Sequence, residues 1–179
     1  DYAHVERVRD VASLICKKEG GDQRITYVAA LMHDMMDSKL VDEGENLEDL
    51  EKSLRKKVEK EMENAHPKWT EEDTAHVFTI VKSVGYKNMI RDDWKPQKLS
   101  LEYRCVQDAD LLDAIGAIGV ARCYAFGGKR NRSLFDLGDV ENSKPTAEEY
   151  KNKKGGSGVE HFFEKLLLIK NMMTTQTGK

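Results

Sequence analysis

Two histidines and a handful of aspartates stand where solvation alone is a poor account of them. His4 sits in an apolar-periodic segment, and His33-Asp34 closes the run Leu31-Met32-His33-Asp34-Met35-Met36-Asp37. Asp108 and Asp110 interrupt an otherwise apolar stretch. A carboxylate set among Val106, Ala109, Leu111 and Leu112 is costly unless it is paired, solvated or bound to a cation. Each residue has a plainer explanation when taken singly. A histidine near a helix start is commonly a surface or capping residue, a His-Asp pair arises by chance, and Asp110 could face a wet cavity. In order, on separate helices, they describe one centre with two imidazoles and two carboxylates. That mixed nitrogen and oxygen set suits a divalent ion such as Mg²⁺ or Mn²⁺, with Fe²⁺, Co²⁺, Ni²⁺ and Zn²⁺ also admitted, and not a thiolate-seeking ion.

Such a centre needs helices to carry it, and the apolar spacing supplies six. Val5, Val8, Ala12 and Ile15 predict a helix over about residues 3–18, stopped by Gly20-Gly21. A second is expected from about Arg24 to Met36. A third, from about Leu47 to Asn64, is densely charged and reads as a solvent-facing helix with pairs such as Glu48/Lys52 and Glu51/Arg55. The fourth opens at Thr70, with Glu71, Glu72 and Asp73 in its first turn. The fifth, from about Leu101 to Phe126, is the least polar and therefore central, ending at Gly127-Gly128. Residues 127–157 form a long polar and basic connection, and a last helix covers about Val159 to Met173. With no repeat and no internal boundary, residues 1–179 read as one all-α domain, a bundle of about six helices.

Composition narrows the field further. The chain has 179 residues, with 29 basic against 32 acidic side chains and a formal net charge of -3. That near-balance argues against a nucleic-acid-coating surface. No apolar run approaches the roughly 20 residues that span a bilayer. Three cysteines, Cys16, Cys105 and Cys123, form no C-x-x-C pair and read as reduced thiols in apolar settings, which favours a reducing, cytoplasmic location. The chain does not begin with Met, so an N-terminally truncated or processed product is expected. A homodimer is among the assemblies it could form.

The order His…His-Asp…Asp resembles the HD-domain superfamily of metal-dependent phosphohydrolases. The surroundings resemble its small stand-alone branch as well: Asp1-Tyr2-Ala3-His4-Val5-Glu6-Arg7-Val8, Ala29-Ala30-Leu31-Met32-His33-Asp34, Asp108-Ala109-Asp110-Leu111-Leu112-Asp113-Ala114-Ile115-Gly116, and His161-Phe162-Phe163-Glu164-Lys165-Leu166-Leu167. The likeness runs over nearly the whole chain and is thinnest across residues 42–75 and 129–157. It implies a helical bundle in which His4, His33, Asp34 and Asp110 hold a divalent cation. An Ala-Asp-x-Leu element in the related alarmone hydrolases favours Asp110 over Asp108. The two also point some 200° apart on a helix, so both cannot easily reach one ion. Asp113 shares the face of Asp110 and could orient a ligand or a water.

The resemblance further implies that Asp37 positions or deprotonates the attacking water, with Lys39 a phosphate partner in the same loop. Arg7 could reach a phosphate or pair with a carboxylate, and Arg130, with Lys129 and Arg132, could steer an anionic substrate. The branch often has Arg at the position held here by Leu111, so any role of that arginine falls to another residue. The activity implied is hydrolysis of a nucleotide, plausibly a nucleoside triphosphate cut to monophosphate and pyrophosphate. A nucleotidase or phosphodiesterase on the same scaffold, and a nucleotide-sensing module without turnover, are the alternatives.

Overall fold

Apolar side chains at three-and-four spacing produce the first helix of the computed structural model, which describes residues 2–36, 46–91, 93–95, 98–138, 148 and 156–179. Helix α1 (Tyr2–Glu19) buries His4, Val8, Ala12, Ile15 and Cys16 along one stripe. It stops where Gly20 takes φ +85°, a left-handed conformation open to glycine, and donates its N–H to the Cys16 carbonyl at 2.9 Å. Asp22 caps α2 (Gln23–Met32), its carboxylate accepting the backbone N–H groups of Arg24 and Ile25. This helix ends four residues earlier than its periodicity predicts. His33 is its C-cap and Asp34 lies in the turn that follows, so the dyad is presented at a helix end rather than on a helix face.

Helix α3 (Leu47–Glu61) buries only Leu54 and Val58, in keeping with its charge. Glu51 and Arg55 pair at 2.8 Å as their spacing predicts, whereas Lys52 pairs with Asp49 and not with Glu48. A capping box between Thr70 and Asp73 opens α4 (Glu71–Ser83). A short α5 (Tyr86–Met89) follows, which the periodicity does not reveal.

The expected single helix over residues 101–126 is two: α6 (Leu101–Asp113) and α7 (Gly116–Lys129), bent by 71°. Gly116, at φ +67°, makes the corner. Gly127 and Gly128, expected as the stop, lie inside α7. The final segment is also irregular: α8 (Gly158–His161) continues as a π turn over Phe162–Leu166 and ends in a 3₁₀ turn at Ile169–Met172. Among the described residues no single helix is long and apolar enough to cross a membrane, and no disulfide forms.

Helix α1 packs against both α2 and α6, and α2 packs against α4 and α6. Val8, Ala12, Ala29, Val77, Phe78, Val106 and Ala109 fill the space between them. A second apolar cluster joins Leu111 of α6 to Tyr86, Met89, Leu166, Ile169 and Met173. Asp108, fully buried, ties the C-terminal segment to α6. It accepts the backbone N–H and hydroxyl of Thr174 and of Thr175 at 2.7–3.1 Å. Asp108→Asn turns an NH₂ group toward some of these donors, so a loss of about 2–3 kcal/mol is expected in a denaturant titration.

Candidate metal centre

The packing of α1, α2 and α6 brings the singled-out side chains to one point. His4 enters from the first turn of α1, His33 and Asp34 from the end of α2, and Asp110 from the last turn of α6. The two Nε2 atoms lie 3.2 Å apart. Asp34 places one oxygen 3.5 Å from His4 Nε2 and the other 3.4 Å from His33 Nε2. Asp110 Oδ1 is 3.6 Å and 3.8 Å from the same two nitrogens. His4, His33 and Asp110 each offer a ligand atom within 4.8 Å of the others.

The tautomers follow from what the far side of each ring meets. His33 Nδ1 is 2.8 Å from the Ala30 carbonyl oxygen and His4 Nδ1 is 2.7 Å from Asp113 Oδ2. Both partners only accept, so both Nδ1 atoms carry the proton and donate. Each Nε2 then faces the cluster as an acceptor, and two acceptor nitrogens 3.2 Å apart beside carboxylate oxygens form a cage suited to a cation. Separations of 3.2–3.8 Å also suit donors that each lie about 2.0–2.2 Å from one ion. The donor set fits a divalent metal.

Burial is the largest influence on His4 and pushes its pKa below the ordinary imidazole value. The hydrogen bond to Asp113 opposes that shift, and the positive charge of Arg122 reinforces it. His4 is thus held neutral, the form that can ligate.

Asp108 takes no part in this cluster, because its oxygens are occupied by Thr174 and Thr175. Arg7 donates from Nε and Nη2 to Asp113 at 2.6 and 3.0 Å, the carboxylate alternative of its two readings. Arg130 stands away from the ligand cluster in the sequence and stacks on Phe126, its guanidinium carbon 4.3 Å from the ring centroid. Asp37 and Lys39 lie outside the described residues. His76 bonds Ser100, and His161 bonds Glu164. Leu111 is 1% exposed and packs in the second apolar cluster.

The spacing did not single out Arg122 of α7. It donates from Nη1 to Asp113 Oδ2 at 2.6 Å and to the Asp113 carbonyl at 3.2 Å. The signal was present: a lone arginine within the apolar run Ala117-Ile118-Gly119-Val120-Ala121-Arg122 needs a partner as much as Asp110 does.

Comparison with known proteins agrees with this architecture. Residues 1–115 match the HD domain family. YpgQ of Bacillus subtilis is 35% identical over 180 residues, covering 100% of this chain and 74% of that protein. A crystal structure of YpgQ in complex with ADP superposes with a TM-score of 0.69 at 32% identity, covering 99% of this chain and 74% of the other. An HD-superfamily hydrolase from Bacillus thuringiensis gives a TM-score of 0.62 at 32% identity, over 99% of this chain and 73% of the other. A bundle that gathers His, His-Asp and Asp in that order, matched over most of its length, belongs to the HD-domain family and is a metal-dependent phosphohydrolase.

Proposed function

We propose that the protein hydrolyses a nucleotide at this centre, cutting a nucleoside triphosphate to the monophosphate and pyrophosphate, with His4, His33, Asp34 and Asp110 holding Mg²⁺ or Mn²⁺. The observation that carries the reading is the convergence of two imidazole Nε2 atoms 3.2 Å apart and two carboxylates 3.4–3.8 Å from them. A bound divalent ion supplies Lewis acidity toward a phosphoryl oxygen and lowers the pKa of a water molecule.

The chain's own groups prepare the rest. Ala30 and Asp113 hold the two imidazoles by Nδ1, in the tautomer that turns Nε2 toward the cluster as an acceptor. Arg7 keeps Nη1 without a partner among the described residues, and its side chain is 32% exposed. That N–H is available to a phosphate oxygen. Arg7 and Arg122 together bring two positive charges to the single charge of Asp113, an excess on that side of the centre that would offset phosphate charge beside a bound cation. The complex of YpgQ with ADP supports a nucleotide as the phosphate carrier.

The experiment is a substrate screen with purified protein, supplemented in turn with Mg²⁺, Mn²⁺, Co²⁺, Ni²⁺ and Zn²⁺. Metal-dependent pyrophosphate release from a nucleoside triphosphate, abolished by chelator, is the expected result. Release of orthophosphate from a monoester, or ring-opening of a cyclic diester, moves the assignment to a nucleotidase or a phosphodiesterase. Tight nucleotide binding without turnover under any metal makes the protein a sensor and overturns the catalytic reading.

A further inference from the structure

Helix α7 leaves the centre carrying a line of cations that no described carboxylate beyond Asp113 balances. Arg122, Phe126 and Arg130 follow one another at i, i+4 and i+8, the spacing that keeps side chains on one face of a helix. At 1.5 Å per residue, Arg130 lies about 12 Å along the axis from Arg122. Arg122 touches Asp113, which in turn holds His4, so the inner end of the line is the rim of the metal centre.

The outer end is built, not merely charged. Arg130 lies over the Phe126 ring at 4.3 Å and Arg132 approaches the same ring at 5.7 Å. The backbone that carries them is closed by three hydrogen bonds: Arg130 N–H and Arg132 N–H donate to the Gly127 carbonyl at 3.0 and 2.9 Å, and Asn131 N–H to the Gly128 carbonyl at 3.1 Å. Asn131 takes the left-handed conformation, φ +53°, that this helix ending requires. Both guanidiniums are thereby oriented in advance. Neither has a carboxylate within salt-bridge distance among the described residues. Attraction of cations to the negative end of a helix explains their sign. It does not explain two arginines set on one aromatic ring while the Gly127 and Gly128 carbonyls are taken by the turn.

We infer that the α7 face from Arg122 to Arg132 is an anion-binding subsite, which takes the distal phosphates of a polyphosphate substrate whose reacting end lies at the metal centre. This rests on the phosphohydrolase reading of that centre. Arg122 grips near the centre, and the Phe126-braced pair of Arg130 and Arg132 takes the far charge. A monophosphate is too short to reach both ends.

The test separates the subsite from the catalysis. Inorganic tripolyphosphate is titrated calorimetrically into chelator-treated wild type and into the R130A/R132A double variant, with circular dichroism confirming that the helices are retained. The expected outcome is binding to wild type and about tenfold weaker binding to the double variant, from two partly exposed charged contacts. In metal-loaded protein the double variant raises KM for the triphosphate and leaves kcat unchanged, with no effect on a phosphate monoester. Equal affinity in wild type and double variant, or no binding to wild type, overturns the subsite even if nucleotide hydrolysis is observed. Loss of tripolyphosphate binding in the double variant, with no hydrolysis by wild type under any metal, sustains the subsite and removes the catalytic reading instead.

Discussion

His33→Ala and Asp34→Ala are each expected to abolish metal-dependent turnover, by about a thousandfold or more. A Lewis acid at a phosphoryl oxygen contributes several kcal/mol to the transition state, and each ~1.4 kcal/mol is tenfold in rate. His33 contributes one of the two inward lone pairs and is held by a single bond to the Ala30 carbonyl. On the proposed ligand set, removing it would take away a ligand and leave the ion too few protein donors. Asp34 reaches both imidazoles, at 3.4 and 3.5 Å, so its loss also removes the negative charge that would balance a cation there.

The decisive readout is thermal stability with and without Mn²⁺. Wild type is expected to gain stability as the ion is added, because a ligand that binds only the folded state stabilises it by mass action. Both variants are expected to lose that gain while their melting in chelator stays close to wild type for Asp34→Ala, whose side chain is 39% exposed. Asp110→Ala is expected to behave like Asp34→Ala. Asp108→Asn melts earlier yet keeps the full Mn²⁺ response. A variant lacking either member of the dyad that still responds to Mn²⁺ and still turns over substrate would refute the metal centre.

The legible part of this molecule is the part governed by local periodicity and by misplaced charge. Val8, Ala12 and Ile15 announce α1, Thr70 and Asp73 announce the start of α4, and the aspartates within the Val106–Leu112 run announce a polar centre. What periodicity missed has a common physical cause, which is long-range geometry. The apolar pattern continues smoothly from Leu112 to Val120, so it cannot show that Gly116 turns the chain through 71°. Added side-chain atoms at Gly119 would collide with the Ala114 backbone, so the corner depends on two glycines doing different things. Asp108 illustrates the same limit. Its partners, Thr174 and Thr175, lie 66 and 67 positions away, and no spacing rule links them. The corner at Gly116 is also what carries Arg122 back toward Asp113, the residue on which the centre is hung.

Asp113→Ala should therefore damage both the fold and the centre. The carboxylate is 7% exposed and accepts from His4 Nδ1, from Arg7 through Nε and Nη2, and from Arg122 Nη1. Burial alone would raise its pKa, but the hydrogen bonds from Arg7 and His4 and the charge of Arg122 outweigh it and hold the carboxyl below its ordinary value. The sign of the linkage follows. Its contribution to stability is fully present above the unfolded carboxyl range, near pH 4, and is lost as pH falls through the lower folded value. Alanine removes the carboxylate to which Arg7, Arg122 and His4 Nδ1 all donate. Breaking a buried ion pair costs about 3–5 kcal/mol. Both arginines are about a third exposed, so water screens part of that, and about 2–3 kcal/mol is expected here. His4 can then turn its proton toward the centre, and metal affinity should fall by about 10- to 100-fold, the usual cost of losing the group that orients a ligating histidine. Asp113→Asn distinguishes the two effects. It preserves shape and one acceptor oxygen, so it should recover much of the stability. Its amide nitrogen cannot accept from His4 or an arginine, so metal affinity stays depressed. An Asn variant that binds Mn²⁺ as tightly as wild type would show that Asp113 only holds α1 and α7 together, and that His4 needs no partner to present its lone pair.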